Sequence, residues 1–338
     1  MTDLPDIGLR LHGGMEPAKC VELAKAAEVN GLASVWFAEN PFERGVLPMA
    51  AACALATQRT QIGIGVWNPY TRHPSLIAME IGTLDALANG RARLGIGSGL
   101  AAAIQKLKVD NKKPLGALRD TFHIVRALLK GEEVAYDGAV FSAQGVKLGY
   151  TPSRPDMSIF MAARGDKALA LCGEIADGLI VSNMCPPGFT ARAVEIVRQA
   201  AAEAGRASPL RVVQYVPCLA RPDAADARRA IKPALAAMVK QYWATARAVP
   251  SAMEGLRYSG IPEGEFRSAA DRLAAGHAPE DVLDDRFVEA FTIAGSADDC
   301  LQRARDYARA GVAELVLTFV GADPVTEIEY LGSALKPR

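Results

Sequence analysis

The sequence predicts a (β/α)8 barrel, an α/β fold, with a helical insertion between its seventh and eighth strands. Apolar strand-like runs alternate with helical patterns about eight times along 338 residues, of which 50% are hydrophobic. A strand, a helix and a second strand in this order require a parallel sheet, and eight such units in a chain of this length favour a closed barrel over an open sheet. We therefore interpret residues 1–338 as a single domain.

The first half of the chain carries the most regular repeats. Strands are predicted over residues 6–11, 34–38, 61–66 and 92–96, and helices over residues 16–30, 48–57 and 75–88. Apolar positions on and beside the second and third helices are either inner faces that pack on the barrel, which we favour, or part of a subunit interface. These positions are Leu47, Met49, Leu55, Ile77, Ile81 and Leu84.

The second half departs from simple alternation at two places. After a loop with scattered charges and a helix over 115–130, the Asp137-Gly138 pair predicts a surface hairpin within 132–147. Further strands are predicted over residues 157–162, 178–182, 211–218 and 314–320. Between residues 222 and 293 the pattern is helical throughout, which is too long for a plain connection. We interpret it as an insertion that covers the barrel mouth or contacts another subunit.

Composition excludes several classes of function. Lys plus Arg and Asp plus Glu both number 38, so no basic field exists to attract nucleic acid or an anionic membrane. No signal peptide and no run near 18 apolar residues is evident, so we expect a cytoplasmic protein. Six scattered cysteines without a CxxC pair predict reduced core thiols, and four scattered histidines lack metal-ligand spacing, so no metal is expected.

Polar residues follow the second predicted strand, at the end of the sheet where a parallel barrel binds ligands. Glu39 and Asn40 are therefore candidate catalytic residues, because a carboxylate and an amide placed there can bind or polarise a ligand. The alternative is that Glu39 pairs with an arginine and Asn40 begins the turn before Pro41.

Glycines at the ends of the third and fourth strands predict a surface of bare backbone. Gly65 ends the run IGIG, and Gly97 and Gly99 lie in the turn GIGSGL. Without side chains, these positions let a flat ring or a phosphate approach the main chain. The turn lacks the following helix pattern and acidic residue of a dinucleotide-binding Rossmann site.

An anion site is predicted after the fifth strand. Arg164 and Gly165 precede Asp166, a candidate helix N-cap, so backbone N–H groups and the positive helix end would face the same rim. The alternative is an ordinary capped helix with a solvated arginine. Ser182 and Asn183, which end the sixth strand, either bind a ligand or begin a turn.

Taken together, several segments resemble the bacterial luciferase-like superfamily. They are WFAEN, RTQIGIGVWNPYTRHP, TLDALANGRARLGIGSG, GEIADGLIVSN and EAFTIAGSADDC. The chain is most similar to the methylenetetrahydromethanopterin reductase branch, which uses the deazaflavin coenzyme F-420, and the resemblance covers nearly the whole chain. It implies a TIM barrel with a helical insertion, commonly a homodimer, with the tricyclic cofactor ring across the strand ends.

The resemblance also implies a set of cofactor-binding positions. A non-proline cis peptide that backs the ring falls on Gly65-Val66. The turn after the fourth strand falls on Gly97, Ser98 and Gly99, and the phosphate-binding turn falls on Ala163, Arg164 and Gly165.

Two departures from the family pattern concern the substrate side. Arg10 stands where the reductase branch carries a glutamate, and Glu39-Asn40 stands where the family usually shows an acidic residue followed by histidine. Replacing an imidazole by an amide removes a proton carrier that titrates near neutral pH. The resemblance therefore implies the fold and the cofactor class, and the two departures leave the substrate open.

Three hypotheses of function follow. The first is an oxidoreductase that moves a hydride between coenzyme F-420 and a pterin-like or other small organic substrate held under the insertion. The second is a monooxygenase that uses reduced FMN in the same cleft, and the third is a non-catalytic cofactor-binding barrel. Direct use of a pyridine nucleotide is a further option. We expect a small-molecule substrate and neither nucleic acid nor membrane as a partner, and the resemblance implies a homodimer.

Overall fold

Eight parallel strands close into a barrel in the computed structural model, which describes residues 4–99, 101–207, 210–247 and 250–335. In these residues the strands are β1 (Asp6–His12), β2 (Ser34–Ala38), β3 (Gln61–Trp67), β4 (Ala92–Ile96), β5 (Val134–Asp137), β6 (Ser142–Val146), β7 (Ile159–Ala162), β8 (Gly178–Val181), β9 (Arg211–Ala220), β10 (Ile293–Gly295) and β11 (Glu314–Phe319). Around the barrel the order is β1-β2-β3-β4-β7-β8-β9-β11, and β11 pairs with β1 to complete the ring. The predicted fold is confirmed.

Helices surround the barrel and form the insertion. Within the described residues they are α1 (Pro17–Val29), α2 (Val46–Ala56), α3 (Pro74–Leu87), α4 (Ala101–Lys106), α5 (Pro114–Leu129), α6 (Asp166–Ile175), α7 (Pro187–Glu203), α8 (Ala224–Ala230), α9 (Lys232–Ala246), α10 (Pro250–Arg257), α11 (Glu263–Ala274), α12 (Pro279–Val282), α13 (Asp285–Phe291), α14 (Ala297–Arg309) and α15 (Pro324–Leu335). The helix α4 corrects the sequence analysis, which expected only loop between the fourth strand and residue 115. Its six residues are too few to show a helical period.

The strands bury both of their faces. On β1, Ile7, Leu9 and Leu11 pack in the outer core formed with the helices, so the alternating positions Gly8, Arg10 and His12 face the barrel interior. The interior is filled by a second cluster of apolar side chains. They are Trp36, Phe160, Ile180, Val213, Tyr215 and Val316. The barrel is therefore a packed core, and room for a ligand exists only at its ends.

A buried ion network closes the barrel at the amino-terminal ends of the strands, which we call the floor. Glu314 is fully buried and accepts hydrogen bonds from Ser34 Oγ and, at 2.7 Å, from Trp36 Nε1. Arg93 and Arg211 both pair with the same carboxylate. Burial opposes the charge of Glu314, but the two arginines and the two hydrogen bonds hold its pKa below the usual range.

The predicted strands are present with ends that differ by at most two residues. The predicted hairpin is also present, since β5 and β6 pair in antiparallel fashion. Buried Asp120 fixes it to α5, because its carboxylate accepts from Tyr136 Oη at 2.9 Å and from the backbone N–H of Val140 at 2.7 Å. The insertion is helical from α8 to α13, as expected, and has an apolar core that includes Tyr242, Trp243 and Phe266.

One element of the insertion region was not predicted. The strand β10 pairs in parallel with the last three residues of β9, Cys218 to Ala220, outside the ring of eight. Three residues are too few to show an alternating pattern, so the sequence analysis placed this segment at the end of the helical stretch.

All six cysteines lie in the described residues, where they are buried and form no disulfide bond. No helix in the described part of the chain is long and apolar enough to cross a membrane.

Candidate active site at the carboxyl ends of the strands

The barrel closure brings the predicted site residues to one rim, which we call the mouth. Glu39-Asn40 follow β2, Gly65-Val66 lie near the end of β3, and Gly97 to Gly99 follow β4. Ala163 to Gly165 follow β7, and Ser182-Asn183 follow β8. Because all these strands are parallel, their carboxyl ends share one end of the barrel.

The peptide bond between Gly65 and Val66 is cis, at the position that the resemblance implied. Tyr215 reaches this bond from β9 and donates a hydrogen bond from Oη to the Gly65 carbonyl oxygen at 3.2 Å. A Cβ atom at position 65 would lie 1.9 Å from the Tyr215 hydroxyl oxygen and 2.9 Å from Trp36 Cε3. Glycine is therefore required here to admit Tyr215, whatever else the site binds. Burial raises the pKa of Tyr215, so its hydroxyl remains a donor.

The turn after β4 packs against the residues that follow the cis bond. A Cβ atom at Gly97 would lie 2.8 Å from Val66 Cγ2, and one at Gly99 would lie 3.1 Å from the Asn68 side chain. Gly99 also has a positive φ of 73°, which favours glycine. Ser98 between them is partly exposed. The side-chain directions of these glycines thus face other residues of the mouth, and the close packing joins the ends of β3 and β4.

Arg164 connects the ends of β7 and β8. Its Nη2 donates to Ser182 Oγ at 2.8 Å and to the Asn183 carbonyl oxygen at 2.9 Å. The guanidinium carbon lies 5.1 Å from the ring centre of Tyr242 in the insertion, which therefore reaches this side of the mouth. Within the described residues no carboxylate pairs with Arg164, and the Asn183 Oδ1 atom is buried without a hydrogen-bond partner.

The start of α6 differs from the predicted cap. Gly165, rather than Asp166, occupies the N-cap position, and no side chain caps the helix. Asp166 is the first helical residue and forms an ion pair with Arg192 at 2.8 Å. The correction has a physical reason: the extended backbone needed at the N-cap falls one residue earlier, on Gly165. The first turn of α6 therefore keeps N–H groups that no side chain caps, beside Ala163 and Arg164.

Glu39 and Asn40 are engaged by neighbouring side chains. Both carboxylate oxygens of Glu39 accept from Arg72, the closer at 3.1 Å, and Arg72 also pairs with Glu80 at 2.7 Å. The amide of Asn40 donates to Glu43 at 3.0 Å. The arrangement matches the alternative in which Glu39 pairs with an arginine, and a catalytic role for either residue stays a prediction.

The sequence analysis did not propose two polar residues of β1, Arg10 and His12, as site residues, and noted Arg10 only as a departure from the family pattern. The predicted strand stopped at residue 11, but β1 extends to His12, so His12 and Arg10 face the interior on alternate positions. His12 Nδ1 accepts from the Gly14 N–H at 3.1 Å. Burial and the nearby charge of Arg10 lower the pKa of His12, and Glu43 opposes this only partly, so the neutral imidazole is favoured. Extending the alternation by one residue would have found it.

Comparison with known proteins establishes the family. The model of the luciferase-like monooxygenase family matches residues 2–314. The chain belongs to this family. The predicted family and the prediction of an enzyme are thereby confirmed.

Relatives in the family share most of the length of the chain. A 5,10-methylenetetrahydromethanopterin reductase from Archaeoglobus fulgidus is 30% identical over 322 residues, which cover 93% of each protein. An F-420-dependent glucose-6-phosphate dehydrogenase from Rhodococcus erythropolis is 27% identical and covers 95% of this chain and 94% of its own. The solved structure of the coenzyme F-420-dependent tetrahydromethanopterin reductase from Methanopyrus kandleri superposes with a TM-score of 0.86 at 28% identity, over 97% of each chain.

Proposed function

We propose that this chain transfers a hydride between coenzyme F-420 and a small organic substrate at the barrel mouth. One observation carries the proposal: the mouth holds a cation, Arg164, that no carboxylate among the described residues neutralises, next to the start of α6, which no side chain caps. Relatives of about 30% identity that carry F-420 in their names support the same cofactor class. Sequence identity at this level leaves the substrate open.

The residues of the mouth fit a flat ring with an anionic tail. Three polar atoms are buried without partners on strands or strand ends around it: Arg10 Nε, Asn183 Oδ1 and Thr318 Oγ1. Buried polar atoms normally have hydrogen-bond partners, so unpartnered ones indicate a ligand that supplies them. The uncapped first turn of α6 beside Arg164 has the chemistry of a phosphate site.

In this proposal the protein positions the reactants and excludes water. Val66 and the turn from Gly97 to Gly99 would form the surface on which the ring rests, and Arg164 with the start of α6 would hold the phosphate tail. The deazaflavin supplies the hydride chemistry when it is bound. The helical insertion, which contacts Arg164 through Tyr242, would cover this side of the mouth and lower its exposure to water. His12 accepts from the Gly14 N–H through Nδ1, so its neutral imidazole carries the proton on Nε2, which would donate a hydrogen bond to a bound group.

The family name itself supports a second candidate, a monooxygenase that uses reduced FMN. The two cofactors differ at the reactive ring atom, which is carbon in the deazaflavin and reacts poorly with oxygen. Purified protein should therefore be titrated with F-420 and with FMN, with absorbance as the binding signal, and oxygen uptake should be measured with each reduced cofactor. We expect F-420 binding and little oxygen uptake; strong FMN-dependent oxygen consumption would contradict the proposal. Binding without turnover of any substrate would favour the non-catalytic barrel.

A pair of arginine variants tests the proposed tail site. Arg164→Gln should weaken F-420 binding about 10-fold to 100-fold, because a charge-assisted hydrogen bond contributes roughly 1.5–3 kcal/mol. The matched control is Arg119→Gln on α5, where an exposed arginine pairs with Glu174 at 2.6 Å. Equal affinity of the two variants for F-420 would place the tail elsewhere. The homodimer and the cytoplasmic location stay predictions.

A further inference from the structure

We infer that Arg10 binds an anionic group of the substrate, a carboxylate or a phosphate, on the β1 side of the mouth. The inference rests on the proposed function and names a substrate class for it. Arg10 lies in the barrel interior near the end of β1, and its Nε atom is buried without a hydrogen-bond partner. Its contact in the described part of the chain is with an aromatic ring, since the guanidinium carbon lies 5.2 Å from the ring centre of Tyr215.

The charge of Arg10 stands out against the other arginines that point into the barrel. At the floor, Arg93 and Arg211 share the carboxylate of Glu314, and Arg211 also pairs with Asp6. No ion pair of this kind reaches Arg10 from the described residues. A guanidinium stays protonated in proteins, and half-burying it, with Nε fully out of contact with water, carries a desolvation cost that no counterion offsets here. The site is therefore incomplete without an anion.

The nearest acidic side chain does not complete it. Glu43 acts on Arg10 only through space, and its carboxylate is exposed and accepts a hydrogen bond from Asn40 at 3.0 Å. Glu43 also lies 3.8 Å from His12 Nδ1. An exposed carboxylate that already accepts from Asn40 is screened by water and neutralises a half-buried cation poorly.

A second unpartnered group lies beside Arg10 on the next strand. The register of β1 with β11 pairs Leu9 with Leu317, so Thr318 is the neighbour of Arg10 across the ladder. The Thr318 Oγ1 atom is buried and lacks a partner. A guanidinium with an adjacent hydroxyl donor suits the oxygens of a carboxylate or phosphate, and the stacking on Tyr215 fixes the fork of N–H groups in advance.

Barrel geometry separates this anion site from the proposed cofactor tail. In the ring of eight strands β1 and β7 lie four positions apart, on opposite sides of the barrel. Arg164 follows β7, so the two uncompensated arginines stand at opposite sides of the mouth. One cation can hold the cofactor tail while the other holds an anion near the reactive ring. A substrate with a carboxylate or phosphate close to its reacting carbon has this shape.

Binding of simple anions tests the inference without any turnover. The wild-type protein, with and without F-420, should be titrated by calorimetry with benzoate and with inorganic phosphate. We expect at least one of them to bind, Arg10→Met to weaken that binding at least tenfold, and Thr318→Val to weaken it severalfold. Arg10→Lys should recover part of the affinity. Arg119→Gln serves as the control and should bind as the wild type does.

The outcomes distinguish this inference from the proposed function. If the wild type binds neither anion, or if Arg10→Met binds both unchanged, the inference is wrong. If Arg10→Met instead loses F-420 affinity and keeps anion affinity, Arg10 pairs with the cofactor and the substrate assignment is overturned. If the wild type binds no F-420 but binds anions through Arg10, the proposed function fails and the anion site stands. Thermal unfolding of ligand-free protein checks the fold, and Arg10→Met should raise Tm because it removes a half-buried charge that has no ion-pair partner among the described residues.

Discussion

The hydroxyl of Tyr215 on β9 donates a hydrogen bond to the carbonyl oxygen of Gly65 on β3, 3.2 Å away. This contact crosses the interior of the barrel and joins the cis peptide to the ring on which Arg10 stacks. Tyr215, a residue of the apolar cluster inside the barrel, therefore helps to fix the backbone position at the mouth near β3. Mutations at either end of the contact should alter both stability and the mouth.

Gly65→Ala should destabilise the protein by about 1–3 kcal/mol, the usual cost of overpacking a core. The new methyl group would meet the Tyr215 hydroxyl at 1.9 Å. Adding Tyr215→Phe removes that oxygen and should restore part of the loss, although the contact with Trp36 at 2.9 Å remains. Urea unfolding measures both effects, with Gly149→Ala as the control because open space surrounds that glycine. If Gly65→Ala is as stable as the control, the packing argument fails.

The fold could be predicted from the sequence because its signals are local and repeated. Each barrel strand is a short buried run followed by a helix, and this pattern fixes strand number, direction and the side on which strand ends meet. Two short elements, α4 and β10, were not predicted, because runs of three to six residues are too short to show a helical or strand periodicity. The predicted end of β1 lay one residue early, so His12, the last residue of the strand, was not recognised as a residue of the barrel interior.

The candidate site was harder to predict than the fold, because partners come from distant parts of the chain. Glu39 was named without its partner, and Arg72 reaches it from the loop after β3. Gly65 was explained by an incoming ring, whereas the structure requires glycine there for Tyr215, 150 residues away in sequence. Arg10 was noticed only as a departure from the family, since a sequence cannot reveal that a charge lacks a counterion.

Glu314→Gln should destabilise the protein by about 3–5 kcal/mol, because it removes the buried carboxylate that pairs with half-buried Arg93 and one of the two carboxylates that pair with Arg211. Chemical denaturation of the purified variant measures the loss. Glu16→Gln is the matched control, since Glu16 is exposed and its ion pair with Arg44 contributes about 0–1 kcal/mol at most. Similar losses for the two variants would show that the floor network contributes little to folding.

The predicted homodimer has a candidate surface on two neighbouring helices. Of the six apolar positions considered in the sequence, Met49, Ile77, Ile81 and Leu84 are buried inner-face residues, as favoured. Leu47 is partly buried against the same core, whereas Leu55 is 65% exposed. Leu76 and Met79 on α3 are 45% and 42% exposed. We expect a dimer by analytical ultracentrifugation and a monomer after Leu76→Glu with Met79→Glu.

Two results bear on this surface. A dimer that survives both glutamates uses another face, and a wild-type monomer at micromolar concentration contradicts the homodimer itself. The control is Val29→Glu, because Val29 is 73% exposed and lies on α1 rather than on α2 or α3. That variant should remain dimeric.

Glu327 on α15 should make stability fall as the pH rises from about 4.5 to about 7. Its side chain is buried, and burial raises its pKa from 4.5 to about 7, although the charge of Arg221 opposes the shift. The folded protein therefore holds a proton that the unfolded chain loses above pH 4.5. By linkage, the stabilising contribution of the Glu327 proton is fully present below about pH 4.5, falls as the pH rises, and is lost by about pH 7. Glu327→Gln should remove that loss, so the variant gains stability relative to the wild type between pH 5 and pH 8, measured as Tm at each pH. Glu329→Gln, two residues later and exposed on the same helix, should leave the pH profile unchanged, and an equal change in both variants would contradict the assignment to Glu327.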